Sequence, residues 1–536
     1  MNTRPMCAAR AALLAAALLT GSGAIDLSPT LSLAAKAHAQ DFVQRVNETF
    51  ATIPANRRSD IELLPLLSKL DKAPPTVNTP DKAALLPASS PDFKVAADWA
   101  QAAPQKAVLA ALQKITQESD YRKAWAFGQP YGADGVSPDI IRTGMYTELG
   151  DPPMLGAARH QYMPALDTMA CLVHVEATRL AAEGKPAEAV NVLINLAYFG
   201  RQMFDREFYA EASWGLNTIA DSAHRIRDIA YTDVRGAKKY DSAAIAGQIK
   251  RLVEADQGYM DMDRTLFPIG NRSAAEQLVA RLYNGADINE AAFAATMARM
   301  GSTEHPLRLF SVAAQYQSAA KGQEGGYIAT DKVRGVYSDF ERRWKLPYHD
   351  PARSLVSEYA KTSRGKLAVL EVTTQDFNEL IEQRMQARVE LSGTRMALAL
   401  AGFTIQNGNI PNTIAAVRPL WMAQIEDDLY DRPPRGRSSG PIQYFVPMPK
   451  PSNPREVAKP HEMQVYTENA EANFKVSFQN DVFILYSIGT DYANNGAKRV
   501  QNTTKVVQGA DYLFWPPVIS LYRQHLIDRG DIKVTE

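Results

Sequence analysis

A mainly helical fold ending in an α+β module is predicted by three features of the chain. Apolar residues recur at spacings of three and four after residue 40, Gly and Pro punctuate these runs at short intervals, and beyond Thr373 one last long run gives way to a period of two. The predicted architecture is an irregular, hairpin-repeat-like all-α domain over 40–372, then over 373–536 a long helix packed on a small antiparallel sheet. With 536 residues, 46% apolar and 22% charged, the chain has the composition of a core-forming protein, which excludes wholesale disorder. Its 31 glycines and 32 prolines follow no G-X-Y period, which excludes a collagen-like fibre. Balanced charge, 59 basic against 59 acidic side chains, leaves no cationic excess for a phosphate backbone, so no nucleic-acid partner is expected.

Residues 1–39 read as a signal peptide. Arg4 and Arg10 precede the apolar run from Ala11 to Leu19, and small residues follow it. Cleavage is expected after Ala39, where Ala37-His38-Ala39 fits the A-x-A rule, with Ala24 as the alternative site. The run is shorter than the roughly 18 residues a span requires, so no transmembrane segment is expected after cleavage and the location is periplasmic or secreted. Cys7 leaves with the leader, and Cys171 is left without an intrachain partner. It falls on an apolar helical stripe with Leu166, Met169, Val173 and Ala177, the setting of a buried thiol.

In the helical region, Ile61 to Leu70 and Val95 to Ile115 read as helices, joined by a proline-rich extended connection over 72–91. Residues 164–204 form the clearest unit: two apolar stripes flank Gly184-Lys185-Pro186, where Gly ends one helix and Pro starts the next. This stretch resembles a tetratricopeptide-type helical hairpin, with no second copy at that period. Further helices are expected at 207–230, 242–262, 273–283, 289–300, 306–320 and 352–361. Asp376 is placed to cap the long helix, whose face Phe377, Ile381, Met385, Val389, Met396, Leu400 and Phe403 carries to Asn407-Gly408. Its charges, among them Glu382, Arg384, Arg388, Glu390 and Arg395, exclude a membrane span. Strands are expected at 442–446, 463–467, 474–478 and 482–487, the last two joined by a tight reversal at Gln479-Asn480-Asp481.

The order of the long helix, Gly408-Asn409-Ile410-Pro411-Asn412-Thr413-Ile414, Asp431-Arg432-Pro433 with Pro441-Ile442-Gln443-Tyr444, Phe483 to Asp491, and Asp511 with Trp515-Pro516 resembles the globular part of type II secretion major pseudopilins. It is closer still to that module as found in large exported proteins of planctomycete-type bacteria. The family's loop after the Tyr-Ser-x-Gly strand binds calcium, and the resemblance implies Asp491, Asn494, Asn495 and Asp511 as oxygen ligands. Here Asn494 and Asn495 stand where acidic residues are usual, and Lys498, Arg499 and Lys505 share the loop. Neutral amides and nearby cations weaken a divalent site and favour an Asx-rich turn closed by its own hydrogen bonds.

Motifs for chemistry are missing. The eight histidines include no H-x-x-x-H pair, and there is no G-x-S-x-G elbow, phosphate loop or haem-attachment motif. The carboxylate groups Glu254, Asp256, Asp261, Asp263 and Glu426, Asp427, Asp428, Asp431 read as solvated faces. Trp125, Phe127, Tyr131, Tyr146 and Tyr162 either line a groove or cap the helical core. The expected function is that of an exported, non-catalytic protein-binding or scaffold protein of the cell envelope, with no cofactor beyond the calcium the resemblance implies. The alternatives are an envelope hydrolase with an interdomain cleft and an accessory component of a secretion apparatus.

Overall fold

The computed structural model describes residues 32–253, 258–300, 313–431, 439–448, 457–467, 472–503, 507 and 509–535, with 32–40 and 313–315 described in backbone alone. Most of the expected leader lies outside these residues. The expected cleavage point falls within the helix Ser32–Ala51, which Val46 and Phe50 anchor in a small apolar cluster with Tyr131, Leu149 and Phe208.

The protein is mainly helical, with a small C-terminal sheet. The expected hairpin is formed by helices Met163–Ala182 and Pro186–Phe204, turned at Gly184 in the left-handed region (φ 75°). The second of these helices crosses Tyr209–Arg235 at Gly200 and Gly215, where a Cβ on either glycine would collide with the other's carbonyl oxygen. The long helix runs from Phe377 to Asn407, as the sequence predicts. The Asp376 carboxylate accepts the Asn378 N–H at 3.0 Å, and Gly408 ends the helix at φ 71°.

Elsewhere tertiary contacts move the predicted limits. Val95 to Ile115 is two helices, Phe93–Ala100 and Ala103–Ile115, because Pro104 starts the second. The proline-rich connection holds a helix, Pro80–Leu85, which Thr79 caps and Pro80 opens. The helix expected over 242–262 stops at Arg251; by Gly258 the chain bridges Asp120, and the Tyr259 N–H donates to the Ser119 carbonyl. Of the helix expected at 306–320, Ala313–Ala320 is described and 301–312 lies outside the described residues. The 352–361 segment is a 3-10 turn, Pro351–Ser354, and one α-turn, Glu358–Lys361. Helices Gly326–Lys345 and Val518–Asp528 were not expected.

Two short ladders, β1 (Thr147–Glu148) with β2 (Arg159–His160) and β3 (Tyr283–Asn284) with β4 (Asp287–Ile288), lie in the helical region. The main sheet comprises β5 (Gln443–Phe445), β6 (His461–Val465), β7 (Phe474–Phe478), β8 (Ile484–Ser487), β9 (Arg499–Gln501) and β10 (Asp511–Trp515), in the order β5-β8-β10-β9-β6-β7. It is mixed: β9 is parallel to both β10 and β6, and the other pairings are antiparallel. The turn at 479–481 closes no hairpin, since β7 is an edge strand paired with β6 while β8 lies between β5 and β10. Every residue of β8 and β10 is buried, so neither strand shows the alternation of a half-exposed sheet.

One continuous apolar core joins the helices to the sheet, from Leu63 to Leu521. The long helix touches β10 at Gly393, where a Cβ would overlap the Phe514 ring. Ion pairs join these elements to their neighbours. Buried Glu390 accepts from His224 (2.6 Å) and the Tyr512 hydroxyl and forms an ion pair with Arg227 at 2.5 Å. Arg395 forks onto Glu426 at 2.8 Å through both Nε and an NH2 group. Asp228, on Tyr209–Arg235, holds Arg523 of the C-terminal helix at 2.7 Å.

Candidate functional site

A polar cleft of about 290 Å³ is formed where the end of helix Gly326–Lys345, the following loop, the first turns of the long helix and the loop after β8 meet. Arg343 organises it. Its Nε donates to Asp339 at 2.8 Å, and its two terminal nitrogens donate to the carbonyls of Arg353 and Leu355, each at 2.8 Å. Burial works against the Asp339 carboxylate, yet hydrogen bonds from Arg342, Arg343 and the Glu358 N–H hold its pKa below the usual range. The loop's backbone is thereby pinned from inside. Asp350 adds a cap, accepting the Ala352 N–H at 2.8 Å just before Pro351.

Glu382 faces this loop from the long helix. It accepts from the Tyr348 hydroxyl at 2.8 Å and from Arg353 at 3.3 Å, and its side chain stays 48% exposed. Burial pushes the Tyr348 hydroxyl pKa up and the Glu382 charge adds to that, while burial pushes Arg353 down. Arg353 also lies over the Tyr348 ring, 4.7 Å from its centre. His349 Nε2 lies 3.0 Å from the Leu429 carbonyl and donates to it, and its buried Nδ1 has no hydrogen-bond partner among the described residues. Tyr492 closes the cleft edge-on to His349, at 5.8 Å, from a left-handed backbone (φ 61°).

The four residues of the implied calcium site come together in the loop between β8 and β10, with their side-chain oxygens largely engaged. Asp511 accepts the N–H groups of Asn495 (3.1 Å) and Ala497 (2.7 Å). Burial pushes its carboxyl up to about 6 against the pull of these two bonds. Asn494 Oδ1 accepts from the Tyr486 hydroxyl (2.9 Å) and the Gly496 N–H (2.8 Å). The Asn495 amide donates to the carbonyls of Ala493 and Gly509, and Asp491 accepts the Ala493 N–H at 3.1 Å. This donor set fits a hydrogen-bonded Asx turn better than a cation shell, because three of the four side chains, Asp491, Asn494 and Asp511, accept backbone amides where a cation would need free oxygens. Among the described residues no group of three or more His, Cys, Asp or Glu is arranged to hold a metal ion.

Among the described residues the carboxylate runs form no cleft. Glu254 and Asp256 lie outside the described residues; Asp261 pairs with Arg264 at 2.8 Å, and Asp263 with Arg384 and Arg388. Glu426 holds Arg395, Asp431 accepts the Gly440 N–H, and buried Asp428 accepts the Ser487 hydroxyl and the Ile488 N–H. Phe127, Tyr131 and Tyr162 are buried around the Arg206–Glu211 pair, where both tyrosine hydroxyls donate to Glu211; they cap the helical core. Cys171 is buried, and burial pushes its thiol up to about 12, far from a reactive thiolate.

The cleft residues carry no sequence motif. Arg343, Tyr348, Arg353, Glu382 and Tyr492 come from three separate segments; the one local signal was the pair Pro347 and Pro351 around Tyr348-His349-Asp350. Among the described residues no helix is long and apolar enough to cross a membrane. No family model, curated protein or solved structure matches the chain.

Proposed function

We propose that this is an exported, non-catalytic binding protein of the cell envelope, periplasmic or secreted, whose helical region presents a protein-docking surface and whose C-terminal part is a soluble pseudopilin-like module. The observation that carries this reading is a pair of consecutive aliphatic side chains, Leu355 and Val356, 61% and 62% exposed, on a loop whose backbone Arg343 holds in place. An ordered aliphatic pair in water is the anchor expected of a preorganised interface. Acid–base catalysis in the neighbouring cleft has little support. Its tyrosine hydroxyl already donates to Glu382 and is pushed up in pKa, the reverse of what activates a nucleophile.

The test is affinity isolation from the envelope fraction with the mature protein as bait. A stoichiometric protein partner is expected, and the double variant Leu355→Ser/Val356→Ser should fail to retain it. Recovery of the wild type as a bare monomer, or equal capture by the double variant, overturns the reading.

A further inference from the structure

The loop that displays Leu355 and Val356 also walls the polar cleft, and the cleft has a chemistry of its own. We propose that the cleft between Tyr348, Arg353, Glu382 and Tyr492 binds a neutral saccharide, a function separate from protein docking whose polar and aromatic contacts come from these four side chains.

Charge decides the ligand class first. The lining holds two arginines, Arg343 and Arg353, and two carboxylates, Asp350 and Glu382. Arg343 is paired with Asp339, and Glu382 with Arg353. With Arg342 also on Asp339, three arginines stand against the three carboxylates Asp339, Asp350 and Glu382, and no net charge remains to attract an anion or a cation. Polarity decides next: the aliphatic part of the lining is Pro351 and Leu355, too little to cover an acyl chain.

A sugar answers what is left. Its hydroxyls both donate and accept, so they need acceptors and donors side by side. Glu382 supplies acceptor capacity: an ionised carboxylate has about four lone-pair sites, and Tyr348 and Arg353 occupy two of them. Arg353 supplies donors, since the one hydrogen bond of its guanidinium among the described residues is the 3.3 Å contact with Glu382. The other need is an aromatic face for the weakly polarised C–H groups of the ring. Tyr492 is 45% exposed at the rim. Its left-handed backbone is costly for a tyrosine, and the loop that holds it there sets the ring beside His349. The volume, about 290 Å³, is near the lower limit of roughly 300 Å³ for small-molecule sites and suits a short saccharide.

Titration calorimetry on the mature protein tests this with chitobiose, cellobiose and maltotriose as neutral probes, digalacturonate as an anionic one and spermidine as a cationic one. At least one neutral probe is expected to bind with millimolar affinity or better. Tyr492→Asn, which removes the ring but suits the left-handed backbone, should weaken that binding about fivefold, the size of one aromatic contact. Glu382→Gln keeps the shape and should weaken it about threefold through lost charge-assisted hydrogen bonds. Val356→Ser, outside the cleft, should leave saccharide affinity unchanged, which separates this proposal from the docking surface. Three outcomes overturn it: no neutral probe binding at about 10 mM, where millimolar affinity would be evident; binding of charged probes alone; or neutral-probe affinity unchanged in both Tyr492→Asn and Glu382→Gln variants that melt like the wild type.

Discussion

Glu382 and Glu390 stand about two turns apart on one helix and have the same kinds of partner, a tyrosine hydroxyl and an arginine, yet they do opposite work. Glu390 is 0% exposed, closed in by His224, Arg227 and Tyr512, and it ties the helical region to β10. Burial alone would raise its pKa; the charge of Arg227, then His224, reverses this and holds it below the usual range. Glu382 keeps half its side chain in water, and its bonds leave room for a further partner. Burial, more than partner identity, separates a structural carboxylate from one available to a ligand.

That contrast is open to measurement, and the largest effect is expected at the buried member. Glu390→Leu leaves the Arg227 charge buried without its partner and should cost about 3–5 kcal/mol in urea unfolding, while Glu382→Gln should cost no more than about 1 kcal/mol. Equal losses at the two positions would break the comparison. Glycines on two helices sharpen it next. Gly393→Ala drives a methyl group into the Phe514 ring and should cost about 1–3 kcal/mol. Gly335→Ala meets nothing within 4 Å on helix Gly326–Lys345 and should stabilise by about 0.5–1 kcal/mol.

A smaller effect depends on pH. Burial pushes the Glu207 carboxyl up to about 7, against the opposing pull of the Ile269 N–H and Arg206. An acid whose folded pKa exceeds its unfolded value, about 4.3, binds more protons when folded. Its contribution to stability is therefore complete below the unfolded value and lost as pH rises through about 7. Thermal unfolding across this window should fall less steeply with pH in Glu207→Gln than in the wild type; parallel profiles would count against the shift. The smallest effect concerns the loop around Asp511. Millimolar calcium should leave Tm unchanged, because backbone amides already occupy that carboxylate. A clear rise in Tm would restore Asp491, Asn494, Asn495 and Asp511 as a ligand set.

The features legible in the sequence were those whose causes lie within a few residues. The limits of the long helix follow from Asp376 at one end and Gly408 at the other, and the hairpin turn at Gly184-Lys185-Pro186 follows from residue chemistry alone. The helix Gly326–Lys345 was harder to see. Its own stripe of Val333, Val336, Tyr337, Phe340 and Trp344 is clear, but Gly325, Gly326 and Gly335 read as breakers. Gly326 is there for a tertiary reason, since a Cβ would overlap the Gly285 carbonyl oxygen in the β3–β4 turn. Strand β10, buried throughout from Asp511 to Trp515, shows no period of two; β8 is equally buried, but the turn at Gln479-Asn480-Asp481 beside it marked its apolar run as a strand.

For the site the division is sharper. The implied ligand residues Asp491, Asn494 and Asn495 are nearly contiguous and do converge with Asp511, but their geometry turned on which atoms the backbone amides had already engaged. The cleft unites residues 343–355, 378–382 and 492, which nothing in the local sequence connects.

By itself, the sequence determined the helical character, the capped ends and the onset of strands after residue 440, because caps, turns and periodicity are settled between residues a few positions apart. Only the tertiary structure decided the strand order, the parallel neighbours of β9, and which of two glutamates on one helix meets water. Those outcomes depend on contacts between residues from 11 to 163 positions apart, whose energies appear only once the chain has closed around them.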